Sequence, residues 1–127
     1  MMNFPSELRY TADHEWVQLK DGRATIGITE FAQSELGDIV FVDIPLDNIE
    51  RNQHDVFGSV EAVKTVSDLF MPVSGIIAEI NKNLDHTPEL VYTDPYGTGW
   101  MAIVLLSHPE QYDNLLTVDQ YKSLIGH

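Results

Sequence analysis

Short β-rich runs, broken at close intervals by turn residues, constrain this chain more than any other feature. Residues 15–19 read as a strand, Lys20-Asp-Gly-Arg23 as a hairpin turn centred on Asp-Gly, and residues 24–28 as the returning strand. Residues 39–44 are apolar on both faces, which predicts a strand in the middle of the core, stopped by Pro45. Residues 55–61, 66–70, 75–80 and 100–106 complete the β content. About seven short strands at this spacing predict a mainly β fold, a sandwich or flattened barrel.

Helices are few and short. Thr29 to Gly37 carries a capping residue, acids in its first turn and a terminating glycine. Ser107–Glu110 and Thr117–Gln120 both have capping-box spacing, which predicts a C-terminal helical pair closed by Gly126. A further single turn is expected at Thr87-Pro-Glu, with proline at the first helical position. Gly37-Asp-Ile-Val-Phe-Val42 and Gly75-Ile-Ile-Ala-Glu-Ile80 echo each other, a glycine followed at once by an apolar strand. With 127 residues and no linker, the chain is expected to form one domain, 1–127.

Composition removes several functions. Twenty acidic against seven basic residues give a net charge of −13, which repels both nucleic-acid backbones and anionic lipid. The same charge can steer the protein onto partners with basic docking faces. There are no cysteines, so disulfide scaffolds, thiolate nucleophiles and thiolate metal sites are excluded. Any thiol chemistry has to be carried on an attached group. The N-terminus has neither the apolar segment of a signal peptide nor a transit-peptide composition, and no apolar run is long enough to span a bilayer. A bacterial-type cytoplasmic location is expected.

No catalytic constellation emerges. The five histidines, His14, His54, His86, His108 and His127, share no metal-ligand spacing. Ser74 lies in the turn Pro72-Val-Ser-Gly75 rather than on a nucleophile elbow. Gly97-Thr-Gly99 lacks the third glycine of a dinucleotide loop. Of the four lysines, Lys20, Lys82 and Lys122 read as solvated surface residues. Lys64 falls between two β runs and so at a strand reversal, one without the Asn-Gly or Asp-Gly of a tight hairpin. Spacing alone does not make it functional.

The ordered blocks do more. His14-Glu-Trp16, Gly27-Ile-Thr-Glu30, the run from Leu36 to Pro45, Val63-Lys-Thr-Val-Ser-Asp68, Pro72-Val-Ser-Gly75 and Asp94-Pro-Tyr-Gly-Thr-Gly-Trp100 occur in sequence along nearly the whole chain. Together they resemble the H proteins of the glycine cleavage system. Biotin carriers flank their lysine with methionine, where this chain has Val63 and Thr65, and acyltransferase lipoyl domains lack the outer helices, so both are less similar.

The resemblance implies a barrel-sandwich hybrid fold with short peripheral helices and a non-catalytic carrier role. Lys64 matches the lysine that bears the family's lipoyl group. Glu61, three residues before it, and Gly75, eleven after it, match positions linked with recognition by lipoyl-attaching enzymes. The implied partners are a pyridoxal-phosphate-dependent glycine decarboxylase, a folate-dependent aminomethyltransferase and dihydrolipoyl dehydrogenase. The aminomethyl group passed between the first two carries an amine that a carboxylate would shelter. Glu15 is the candidate, set against its reading as an ordinary exposed strand glutamate. Two positions depart from the family pattern: Ala62, where serine is common, and Tyr92, where asparagine usually follows Pro-Glu-Leu-Val. A role in relaying lipoyl groups to other enzymes, or as an unmodified binding module, stays open.

Overall fold

The computed structural model describes residues 2–127. Its strands are β1 (Arg9–Tyr10), β2 (Glu15–Lys20), β3 (Arg23–Ile28), β4 (Ile39–Asp43), β5 (Glu50–Arg51), β6 (Val56–Ala62), β7 (Val66–Phe70), β8 (Gly75–Ile80) and β9 (Ala102–Leu106). Helices α1 (Glu30–Leu36), α2 (Leu90–Thr93), α3 (Glu110–Asp113) and α4 (Val118–Ile125) lie between or after them. The strands form a six-stranded sheet in the order β1-β2-β3-β9-β8-β5 and a three-stranded sheet in the order β4-β6-β7. All the pairings are antiparallel. The mainly β fold with short helices is the one expected.

One apolar core lies between the sheets. Val17, Ile26, Ile77 and Val104 enter it from the larger sheet, and Val42, Val60 and Leu69 from the smaller. A second cluster, Phe4, Leu8, Tyr10, Trp16 and Tyr121, binds the two ends of the chain together. Tyr121 of α4 stacks on Tyr10 of β1 with ring centroids 4.8 Å apart and planes 10° from parallel. This is offset-stacking geometry, which adds to the burial of both rings.

Local signals explain most elements. Asp21 and Gly22 both take positive φ between paired Lys20 and Arg23, so the Asp-Gly turn is of the primed type that matches strand twist. The Thr29 hydroxyl accepts from Ala32 N–H to start α1. Thr117 and Gln120 complete a reciprocal capping box, and Gly126 ends α4 in the left-handed region. The turn at Thr87-Pro-Glu leads into α2, with Leu90 N–H donating to Thr87 O.

Two expectations are corrected. The run at 39–44 is not central: β4 is an edge strand of the smaller sheet, with Val40 and Phe41 about half exposed. A register shift between Ile39 and Phe41 turns Ile39 and Val42 inward and leaves the pair between or beside them outside. The capping box at Ser107 does not form, because Ser107 N–H extends strand pairing by donating to Ser74 O; α3 starts two residues later without a side-chain cap.

Gly75 begins β8 where the sheet admits no side chain. A Cβ there would stand 2.1 Å from Leu105 O and 2.8 Å from Val104 Cγ1. Gly75→Ala is expected to lower stability by ~1–3 kcal/mol through overpacking, read as an earlier urea midpoint at unchanged slope.

Candidate functional site

The lysine hairpin comes first. β6 and β7 pair as far as Glu61 and Val66, and Ala62 N–H donates to Thr65 O at 2.8 Å, leaving Val63 and Lys64 at the tip. Neither has positive φ, so the reversal is not the primed turn that glycine and asparagine favour. Val63 N–H instead donates to Asp38 O at 3.0 Å, which ties the tip to the chain entering β4. Lys64 is exposed, and among the described residues no carboxylate stands within ion-pair distance of it. Its side chain runs over Gly37, where an added Cβ would lie 3.6 Å from Lys64 Cε. Gly37 ends α1 at φ 80°, ψ −145°, backbone that only glycine adopts without strain.

A cavity of about 140 Å³ opens beside this hairpin, between α1 and strands β6 and β7. Ile28, Leu36, Val60 and Leu69 make its apolar wall. Four carboxylates also line it: Asp13, Glu15, Glu35 and Asp68. Ser67 and Asp68 lie three and four residues from Lys64, roughly 10–14 Å along a strand.

Glu15 is not an exposed strand glutamate: it is 3% exposed. The tight turn at 11–15 explains this. Thr11 Oγ1 accepts from the N–H groups of Asp13 and Glu15, and the Thr11 hydroxyl donates to Glu15 Oε1 at 3.3 Å. Phe70 N–H, at the end of β7, donates to Glu15 Oε2 at 2.9 Å. One carboxylate thus links the larger sheet to the strand carrying the lysine hairpin. Burial pushes its pKa up to about 8, against the two hydrogen bonds that favour the anion.

His14 takes positive φ beside it and lines the same cavity. Its Nδ1 lies 3.0 Å from the Tyr121 hydroxyl, which in turn lies 2.8 Å from Thr29 Oγ1. A chain in which Thr29 donates to Tyr121 and Tyr121 to His14 Nδ1 uses both hydroxyl hydrogens and leaves the imidazole neutral. Burial also lowers the His14 pKa, against the pull of Asp13 and Glu35, while burial pushes the Tyr121 hydroxyl up to about 12. The C-terminal helix therefore holds one wall of the cavity.

Glu61 lies exposed on β6, directly between Phe41 and Val66 across the sheet. Gly75 does not join it there, being buried in the other sheet. Of the two departures, Ala62 is buried and faces away from the exposed side, and Tyr92 packs against the main core. No group of acids, histidines or cysteines able to hold a metal occurs among the described residues, nor a helix long and apolar enough to cross a membrane. Sequence reasoning did not single out Asp13, Glu35 or Asp68 as cavity residues, since no spacing links three segments that only folding brings together.

The family model described as "Glycine cleavage H-protein" matches residues 8–127. This chain belongs to the glycine cleavage H-protein family. A glycine cleavage system H protein of Staphylococcus haemolyticus is 54% identical over 125 residues, 98% of this chain and 99% of that one. One from Salinibacter ruber is 52% identical over 120 residues, 94% and 97% of the two chains. The crystal structure of a glycine cleavage system H protein from Mycobacterium marinum superposes with a TM-score of 0.90 at 38% identity, covering 98% of this chain and all of that one. Membership in this H-protein family implies a lipoyl carrier role in the glycine cleavage system.

The sign of the Glu15 shift sets a pH dependence. A folded pKa above the unfolded one means that the folded state binds the proton more tightly, so stability is greatest in acid and falls as pH rises from about 4.5 towards about 8. Over that window the wild-type melting temperature is expected to decline relative to Glu15→Gln, with the two curves parallel at lower pH. Parallel curves throughout would remove Glu15 as the titrating group.

Proposed function

We propose that the chain is the lipoylated carrier of the glycine cleavage system, that Lys64 bears the lipoyl group in amide linkage, and that Glu15 anchors a shelter for the carried amine. The placement of Lys64 supports this reading best: an exposed, unpaired amine at a hairpin tip, next to a cavity part apolar and part acidic. Lysine plus lipoyl extends on the order of 15 Å, which covers the roughly 10–14 Å to Ser67 and Asp68. When attached, the lipoyl group would supply a cyclic disulfide able to accept the aminomethyl group on one sulfur while the other leaves as a thiolate, the electron pair coming from decarboxylation of glycine on a pyridoxal-phosphate-dependent enzyme; release of the aminomethyl group to a folate-dependent aminomethyltransferase would leave a dithiol for dihydrolipoyl dehydrogenase to reoxidise.

The chain's own residues do the holding. Ile28, Leu36, Val60 and Leu69 exclude water from the seat and receive the apolar part of the arm. Glu15, with its pKa near 8, is largely protonated at neutral pH when no cation faces it. An ammonium entering the cavity favours the carboxylate, so Glu15 gives up its proton as the charged head arrives. Asp13 and Glu35 add negative charge around the same space. Exposed Glu61 suits direct reading by a lipoyl-attaching enzyme, whereas buried Gly75 would act through the packing of β8 on β9.

Intact-mass measurement of protein from lipoate-replete cells is expected to show one lipoyl addition that Lys64→Ala abolishes; wild-type protein lacking it would overturn the assignment. Glu15→Ala is expected to leave that addition in place and to shorten the lifetime of the loaded carrier about tenfold or more, the scale of one lost charged contact. An unchanged lifetime would take Glu15 out of the shelter.

A further inference from the structure

Among the side chains lining the cavity, His14 is the one that can become a cation. A cationic imidazole there would pair with Glu15, the next residue, and repel an ammonium entering the same space. A seat for a carried amine therefore needs His14 neutral. The charges around the ring pull the other way. Asp13 and Glu15 flank it in the chain, Glu35 acts on it from α1, and Asp68 lines the cavity from β7. Phe31 of α1 packs on it with ring centroids 5.0 Å apart, and His127 meets Phe31 edge-on rather than His14.

A count of hydrogens shows what resists protonation. Thr29 and Tyr121 are fully buried, and every buried side-chain nitrogen and oxygen among the described residues has a partner. Thr29 Oγ1 already accepts from Ala32 N–H at 3.2 Å. With His14 neutral, the Thr29 hydroxyl donates to the Tyr121 oxygen at 2.8 Å and the Tyr121 hydroxyl to His14 Nδ1 at 3.0 Å. Two hydrogens fill two contacts. A proton on Nδ1 turns the last acceptor into a donor, so three hydrogens face the same two contacts. One buried hydroxyl hydrogen is then left without an acceptor, which costs its full desolvation. The same count disfavours the neutral form protonated on Nδ1 and places the ring hydrogen on Nε2.

The structure assigns to Tyr121 the part of a positioning residue: from α4, its hydroxyl holds His14 as the neutral Nε2–H tautomer and so keeps the cavity open to a carried amine into mildly acid solution. Tyr121 does not itself line the cavity and acts through the imidazole. The assignment rests on the reading that the arm on Lys64 brings an amine to this cavity. Burial of the His14 ring works in the same direction as the hydroxyl.

Two measurements test it. The first is nitrogen NMR of the imidazoles in the full unmodified chain. Wild-type His14 is expected as the Nε2–H tautomer at neutral pH; a proton on Nδ1 there overturns the assignment without any variant. Tyr121→Phe keeps the stacked ring and is expected to raise the proton affinity of His14 about tenfold. An unchanged titration overturns the assignment as well. The second follows the lifetime of the carrier lipoylated at Lys64 and loaded from glycine by the decarboxylase. The shortfall of Tyr121→Phe against wild type is expected to be about fivefold larger at pH 6 than at pH 8. Asparagine carries no charge and tolerates the positive φ of His14, so the double variant Tyr121→Phe/His14→Asn is expected to lose that acid sensitivity. A shortfall equal at both pH values, or one that survives in the double variant, is a packing effect and overturns the role of Tyr121 while leaving Lys64 and its arm in place. A wild-type chain that takes up no lipoyl group overturns the carrier reading, and this inference with it, whatever the titration shows.

Discussion

The hydrogen bond from Phe70 N–H to the Glu15 carboxylate is the contact around which the site is built. It joins the end of β7, in the smaller sheet, to the start of β2, in the larger one. The cavity lies beside that joint, so its position relative to the lysine hairpin follows from the pairing of these two segments. A carboxylate buried this far costs free energy unless hydrogen-bonded or protonated, and here both compensations operate. A carboxylate whose pKa burial raises and two hydrogen bonds lower is thereby held at a fixed place in the fold.

The C-terminal helix belongs to the same arrangement. Tyr121 is fully buried against Tyr10 and Phe4, and its hydroxyl reaches His14 and Thr29 at once. Thr29 also caps α1, the helix that forms the opposite wall of the cavity and ends at Gly37 under Lys64. One tyrosine from the end of the chain thus braces both the turn that presents Glu15 and the helix that faces it. The peripheral helices, slight in size, set the shape of the seat.

Two surfaces meet at Lys64 and differ in chemistry. Inside, between α1 and β7, apolar walls carry acids suited to an amine. Outside, on the open face of the smaller sheet, apolar side chains ring Glu61. The two faces follow from the two-residue alternation of a strand, which sends Glu61 and Val66 outward and Val60 and Ala62 inward.

Much of this was legible in the residues. Asp-Gly between alternating runs, Thr29 and Thr117 as caps and Gly126 as terminator act through local backbone geometry, and each formed as read. The flanking β runs put Lys64 at a strand reversal, and the ordered blocks pointed to the family. The run at 39–44 misled, because an exposed apolar edge strand has the same composition as a buried one. Ser107 misled as well, since a capping pattern does not reveal that strand pairing has already taken the backbone N–H. Glu15 was named from its neighbours in the chain, but its burial, its bond to Phe70 and the company of Asp13, Glu35 and Asp68 arise from residues up to 55 positions apart. Local chain chemistry was enough to write seven of the nine strands and the Asp-Gly turn, and the two runs flanking Lys64 put it at a reversal; β1 and β5, two residues each, are too short to show a pattern. Burial and electrostatics at the site depend on which distant segments fold against each other, and those distances exist only in three dimensions.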